Sequence, residues 1–300
     1  MISNDSKPDP GAGATTHYLP SSSVIGTKEA ERRLRWKIDL YIVPIVALLY
    51  ALCTIDRVNI GNARLAGLER TLDLHGNDFN ALLSIFYVSY ILFSMPATWV
   101  IKWIGPGWVL PGTTLIFGIL TVSFAFVKTF AQAAAVRFLL GIFEADLFGG
   151  SSYYMSRWYR KSELAIRLSL YVVMAPLSGA ASGLLASAIL KLDHFGSTSG
   201  WEMIFAIEGV ATIGLALVAL LVMTDRPETA LWLTQEEKAL AIFRVQDERV
   251  AITEALDIFD RKKVVRGLWN PVVLFTSISL DSVQITIQAS LLPPGHLITR

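Results

Sequence analysis

FNALLSIFYVSYILFSMPATWVI (residues 79–101) runs for 23 residues without an Asp, Glu, Lys or Arg. A helix rises 1.5 Å per residue, so about 20 mostly apolar residues cross roughly 30 Å of hydrocarbon. The run has that length and reads as a membrane span. Residues 103–127 and 168–190 match it with no charge at all, and residues 203–224 match it with one, Glu208. Residues 130–155 match it if Arg137, Glu144 and Asp146 are tolerated. Residues 40–55 are short, and this span either ends at Ile55 or continues through DRVNIGNARL, which carries Asp56 and Arg57 into the membrane. A seventh run opens near Leu268, carries Asp281 and breaks up in LLPPGHLITR.

Composition agrees, with 53% apolar and 17% charged residues in 300. A formal net charge of +1 gives no global field for nucleic acid or an acidic partner. The one cysteine, Cys53, excludes an intramolecular disulfide framework and reads as a small apolar filler. Residues 1–27 are rich in Ser, Pro, Gly and Thr and have no continuous apolar stretch, so no signal peptide is expected there.

The expected organisation is a disordered cytosolic tail (1–35), a six-span bundle (36–224), a cytosolic linker (225–267) and the truncated start of a second bundle (268–300). Lys and Arg concentrate in KEAERRLRWK, RWYRKSELAIR and residues 225–267, which places the amino terminus inside the cell. The first outer loop, with Arg57, Arg64 and Arg70, runs against that count. In the linker, Thr234 with Glu237 three residues on forms a capping-box pattern opening an amphipathic helix, read as part of a solvated spacer. SGAASG places Gly179 and Gly183 four apart, a spacing that allows close helix approach.

Charge inside a span is costly and marks function by default. Arg137 and Glu144 are seven residues apart, on one helix face and about 10 Å apart along the axis. Asp146 points about 200° away from Glu144. Asp56 and Arg57 diverge by about 100° and need partners elsewhere. Asn59 shares the side of Asp56, and the planar fork of Arg57 suits a carboxylate substrate. A juxtamembrane pair is the alternative if the span ends at Ile55. Asn80, Ser84 and Tyr87 form one hydrogen-bonding stripe, suited to a cavity wall or to helix pairing. Glu208 reads as a local cap or pair.

The strings LLYALCTIDRVNIGNARLAGL, FYVSYILFSMPATWVIKWIGPGWVLP, RFLLGIFEADLFGGSSYYMSRWYRKSE, WEMIFAIEGV and DRPETALWLTQEEKAL resemble the anion:cation symporter branch of the major facilitator superfamily. Within it they look most like the fungal allantoate permease group, whose members carry allantoate, nicotinate, pantothenate and other organic anions. The resemblance implies an all-α integral membrane protein, a six-helix bundle of two three-helix repeats, with the charged residues lining a passage between two halves. It implies proton-coupled uptake of small organic anions across the plasma membrane, without a cofactor. Carried over by position, Asp56 and Glu144 become proton-coupling residues. Arg57 becomes the anion clamp and Arg137 the partner that tunes Glu144, with Asn59 and Tyr87 beside the substrate. Where that group reads E-A-G-F-F-P-G, this chain has EADLFGG, with Asp146 for Gly and Gly149 for Pro. KWIGPGWVLP is also poorer in basic residues than the family's second loop. Such transporters have about twelve spans, so the expected partners are a small organic anion, protons, the lipid bilayer and a second half-transporter. The alternative is a transport-inactive half that binds a partner. No H-E-x-x-H or G-x-S-x-G motif supports an intramembrane enzyme.

Overall fold

A computed structural model describes residues 28–191 and 200–250. The tail up to residue 27 and the expected second bundle (268–300) lie outside the described residues. Within them the chain is helical: α1 (Lys28–Leu65), the short α2 (Leu68–Thr71), α3 (Asp78–Ile104), α4 (Pro106–Phe124), α5 (Phe130–Glu144), α6 (Leu147–Ser156), α7 (Lys161–Lys191), α8 (Gly200–Val222) and α9 (Gln235–Val250). A 3-10 turn, Pro227–Thr229, joins α8 to α9.

Five helices, α1, α3, α4, α7 and α8, are long and apolar enough to cross a membrane. The fourth expected span is two helices, α5 and α6, broken at Ala145 and Asp146. The tail expected to reach residue 35 ends earlier. Acidic Glu29 and Glu31 suit the first turn of α1, and Leu34 and Ile38 are already in the core. The longer alternative holds for the other end of α1, which runs through Asp56 and Arg57 to Leu65.

Helices pack closely where side chains are missing. A Cβ on Gly209 of α8 would stand 2.7 Å from the Val122 nitrogen and 2.9 Å from the Gly118 carbonyl of α4. These two backbones touch, as small residues allow in apolar surroundings. Gly209→Ala is therefore expected to separate α4 from α8 and to destabilise the bundle by about 1–3 kcal/mol. A lowered thermal unfolding midpoint in detergent would register it. Gly183→Ala is the control. Gly183 is exposed, with nothing within 4 Å of an added Cβ among the described residues, so no close helix approach is made at Gly183.

The described part of the expected linker, up to residue 250, is docked on the bundle and is not a solvated spacer, while residues 251–267 lie outside the described residues. The Arg244 guanidinium, 2% exposed, donates to both Glu163 oxygens at 2.6 and 2.7 Å, joining α9 to α7. Trp232 stacks on Tyr41 of α1 at 4.6 Å and on Trp158 at 5.5 Å. The capping box is present: the Thr234 amide donates to Glu237 Oε2 at 2.9 Å, and the Glu237 amide to Thr234 Oγ1 at 3.3 Å. At the same end of the bundle Asp225 accepts from Arg157 Nη1 at 2.8 and 2.9 Å. Its carboxylate lies against the α3–α4 turn, where Gly105 has φ 112° and a Cβ would come within 2.5 Å of Asp225 Oδ1. Only glycine fits that turn.

Lys37 Nζ donates to Glu237 Oε2 at 2.7 Å, tying α1 to α9. Burial pushes the Glu237 carboxyl up, but Lys37 and the Thr234 amide outweigh it and hold the group below its ordinary value of 4.5. Because the folded group titrates lower than the free one, this contact stabilises docking above pH 4.5 and is lost as acid protonates Glu237. At this partly exposed site it contributes about 0.5 kcal/mol. Hydrogen exchange in α9, corrected for intrinsic rates, is expected to rise on acidification, and Lys37→Met should shrink that acid-dependent rise.

Candidate functional site

The polar residues of the bundle meet at mid-depth. Asp56 lies roughly 14 Å from the end of α1, Arg137 and Glu144 roughly 10 and 21 Å into α5, and Glu208 roughly 12 Å into α8, counting 1.5 Å per residue from the same end of the bundle. A hydrocarbon core is about 30 Å thick, so these groups share its central zone. Asp56 is 0%, Arg137 2%, Glu144 2% and Glu208 2% exposed.

Asp56 and Arg57 diverge on α1, as their spacing requires, and both find partners on α5. The pairing is crossed. Arg137 Nη1 donates to Asp56 Oδ2 at 3.0 Å, and Arg57 Nε donates to Glu144 Oε1. Arg137 and Glu144 share a face of α5 but each answers an opposite charge on α1, so Arg137 is not the direct partner of Glu144. Aromatic faces complete both cations. Arg137 lies over Phe124 at 4.6 Å and Phe205 at 5.5 Å, and Arg57 over Tyr90 at 4.8 Å and Phe86 at 5.8 Å. Arg57 is the more accessible cation, with 9% of its side chain exposed against 3% for Arg137.

Asn59 is buried beside Asp56 and ties three helices together. Its Nδ2 donates to Glu208 Oε2 at 2.7 Å, and its Oδ1 accepts from Ser182 Oγ at 2.8 Å and Asn62 Nδ2 at 3.0 Å. Glu208 is therefore no local cap or pair, since it bridges α8 to α1. Tyr87, with Asn80 and Ser84, lies on the exposed face of α3 and packs edge-on to Phe86 at 5.3 Å. The α3 aromatic residues that lie over Arg57 are Phe86 and Tyr90, the latter three positions beyond Tyr87. Cys53 is more than a filler: its thiol donates to Glu144 Oε1 at 2.6 Å, the oxygen that Arg57 also holds. Asp146 stands apart at the α5–α6 break. A Cβ on Gly149 would overlap Asp146 Oδ1, so the two departures in EADLFGG fit each other: the acid occupies the space a side chain at 149 would need.

Sequence reasoning missed Tyr90, Cys53 and Glu208. Tyr90 was legible as the next turn beyond Tyr87, and Cys53 lies four residues before Arg57, on the same side of α1. A carboxylate within an otherwise uncharged span was the signal at Glu208.

Several buried polar atoms accept or donate no hydrogen bond among the described residues: Asp56 Oδ1, Glu144 Oε2, Glu208 Oε1, and Nε and Nη2 of Arg137. Three carboxyls face two guanidiniums, with acceptor and donor capacity in reserve. Such an arrangement can exchange a proton or admit an anionic group without building a new cavity of charge.

Residues 46–294 match the model of the Major Facilitator Superfamily. An uncharacterized transporter of Schizosaccharomyces pombe is 35% identical over 85% of this chain and 51% of its own length. A major facilitator-type transporter of Emericella nidulans is 30% identical over 83% of this chain and 50% of its own length. The high-affinity nicotinic acid transporter of Saccharomyces cerevisiae is 32% identical over 69% of this chain and 39% of its own length. The chain spans about half the length of the curated relatives it matches. Among solved structures, an inward-facing bacterial homologue of the human lysosomal transporter Spinster superposes with a TM-score of 0.56 at 20% identity, over 67% of this chain and 45% of that one. With membrane-length helices in this arrangement and a family match over most of its length, the chain belongs to the Major Facilitator Superfamily.

Proposed function

We propose that this chain is the amino-terminal unit of a proton-coupled transporter of small organic carboxylates. The observation that carries the reading is the contact of Arg57 with Glu144. An arginine at the more open side of a buried cluster is held by an acid that an incoming carboxylate can replace. A substrate anion takes the guanidinium fork in two charge-assisted bonds. Glu144, released, then carries a proton, because a lone carboxylate in a low-dielectric site is strongly disfavoured. Binding of anion and proton together leaves the net charge of the cluster unchanged, and that balance is the coupling. Asp56 and Arg137 form the second, deeper exchange pair, and Asn59 fixes the geometry behind them.

Nicotinate is the substrate class to try first, as the name of the yeast relative and the resemblance to allantoate permeases both favour monocarboxylates. The bundle begins with α1 at Lys28 and runs to 224, and in this reading 225–267 serve as the linker and 268–300 belong to a second bundle. The chain lies in the plasma membrane with its amino terminus in the cytoplasm.

Uptake of labelled nicotinate, allantoate and pantothenate into vesicles from a host expressing the chain, with and without an inward proton gradient, tests this reading. Gradient-dependent uptake of one of these acids, abolished by a protonophore, is expected. Uptake that ignores the gradient, or no uptake of any carboxylate, would refute it.

A further inference from the structure

The ion pairs use both guanidiniums of the cluster and leave one acid over. Glu208 is as buried as the paired acids, yet the one hydrogen bond its carboxylate accepts among the described residues comes from the uncharged amide of Asn59. That amide has a fixed orientation. Its oxygen is occupied by two donors, Ser182 and Asn62, so its NH2 group is the part that faces Glu208. The Thr212 hydroxyl returns to the Glu208 backbone carbonyl and does not serve the carboxylate. On α4, packed along α8, Thr114 and Thr121 likewise donate to carbonyls of their own helix. The charged groups acting on Glu208 are Asp56 from α1 and Arg137 and Glu144 from α5. Two oxygens of this zone, Glu208 Oε1 and Asp56 Oδ1, have no hydrogen-bond partner among the described residues.

With both ion pairs formed, an ionised Glu208 would leave the cluster one negative charge in excess, in surroundings that strongly disfavour it. We propose that Glu208 is a third proton-exchanging acid of this site, which hands its proton to Asp56 as Arg137 changes partner from Asp56 to Glu208. The O–H bond at Glu208 Oε1 breaks, one forms at Asp56 Oδ1, and the guanidinium moves to the carboxylate left behind. Charge and protons balance without another reactant. Asn59, bonded to the other Glu208 oxygen, keeps the acid in place through the exchange. This inference rests on the proton-coupled reading above but adds a residue that the clamp itself does not need.

The test is an infrared titration of the reconstituted chain carrying 13C-carboxyl glutamate, which moves the acid C=O band of glutamate away from that of aspartate. In the wild type a protonated glutamate band is expected at neutral pH. It should vanish in Glu208→Gln, whose amide can still accept from Asn59, and persist in Glu144→Gln. Glu208→Asp should move the band from the labelled to the unlabelled region, which assigns it even if Glu208→Gln folds poorly. A band that survives Glu208→Gln, or no band in the wild type, would overturn the proposal. Carboxylate uptake separates the two readings. If no carboxylate is transported but the band follows Glu208, the transport reading fails alone. If gradient-driven uptake persists in Glu208→Gln and the band does not follow Glu208, the role of Glu208 fails alone.

Discussion

Arg137→Leu is expected to abolish most of the correctly folded protein. The substitution removes the guanidinium that faces Asp56, whose side chain is fully buried, and leaves a carboxylate without a counter-charge at the centre of the bundle. Removing one partner of a buried ion pair costs about 3–5 kcal/mol, because the remaining charge keeps its desolvation penalty and loses its compensation. Cation–π contacts with Phe124 and Phe205 are lost as well. The yield of monodisperse protein and its thermal midpoint in detergent should both collapse. Asp56→Leu combined with Arg137→Leu should restore folding, since replacing both members of a buried pair by apolar residues is near neutral or stabilising. Arg137→Leu behaving like the wild type would mean that the pair does not form.

Glu144→Gln has the second large effect, and it acts on coupling instead of folding. Gln can still accept from Arg57, so the protein should fold and bind. Each unit of pH gradient supplies about 1.4 kcal/mol per proton, a factor of about 10 in accumulation. The wild type should therefore concentrate its anion by about that factor per pH unit for one coupled proton, and Glu144→Gln should only equilibrate it. Exchange of internal for external anion should continue, because exchange needs the clamp but not the proton. Accumulation unchanged in Glu144→Gln would remove Glu144 from the coupling mechanism.

The spans were legible because an uncharged run of membrane length has few other readings in a chain this apolar. Residues 79–101 and 203–224 became α3 and α8 nearly as written. The four charges Asp56, Arg57, Arg137 and Glu144 were legible because a charge inside such a run needs a physical reason. Their pairing was not. Helix periodicity places Arg137 and Glu144 on one face, but it carries no information about which neighbour that face meets, and the neighbour proved to be α1. The break of the fourth span at Ala145 and Asp146 was hidden by the apolar sequence on both sides. Docking of α9 was hidden for a related reason: its contacts come from Glu163 and Lys37, far apart in the sequence, and the Trp232 just before it stacks on Tyr41. The capping box of α9 is local chemistry, and it was readable in full.

The most direct test is whether anion binding takes up a proton. Nicotinate binding to the reconstituted chain would be measured by titration calorimetry in buffers of different ionisation enthalpy, for the wild type, Arg57→Ala and Glu144→Gln. The account predicts proton uptake on binding in the wild type, the same binding without proton uptake in Glu144→Gln, and loss of binding in Arg57→Ala. Binding with the same enthalpy in every buffer, or undiminished in Arg57→Ala, would contradict it.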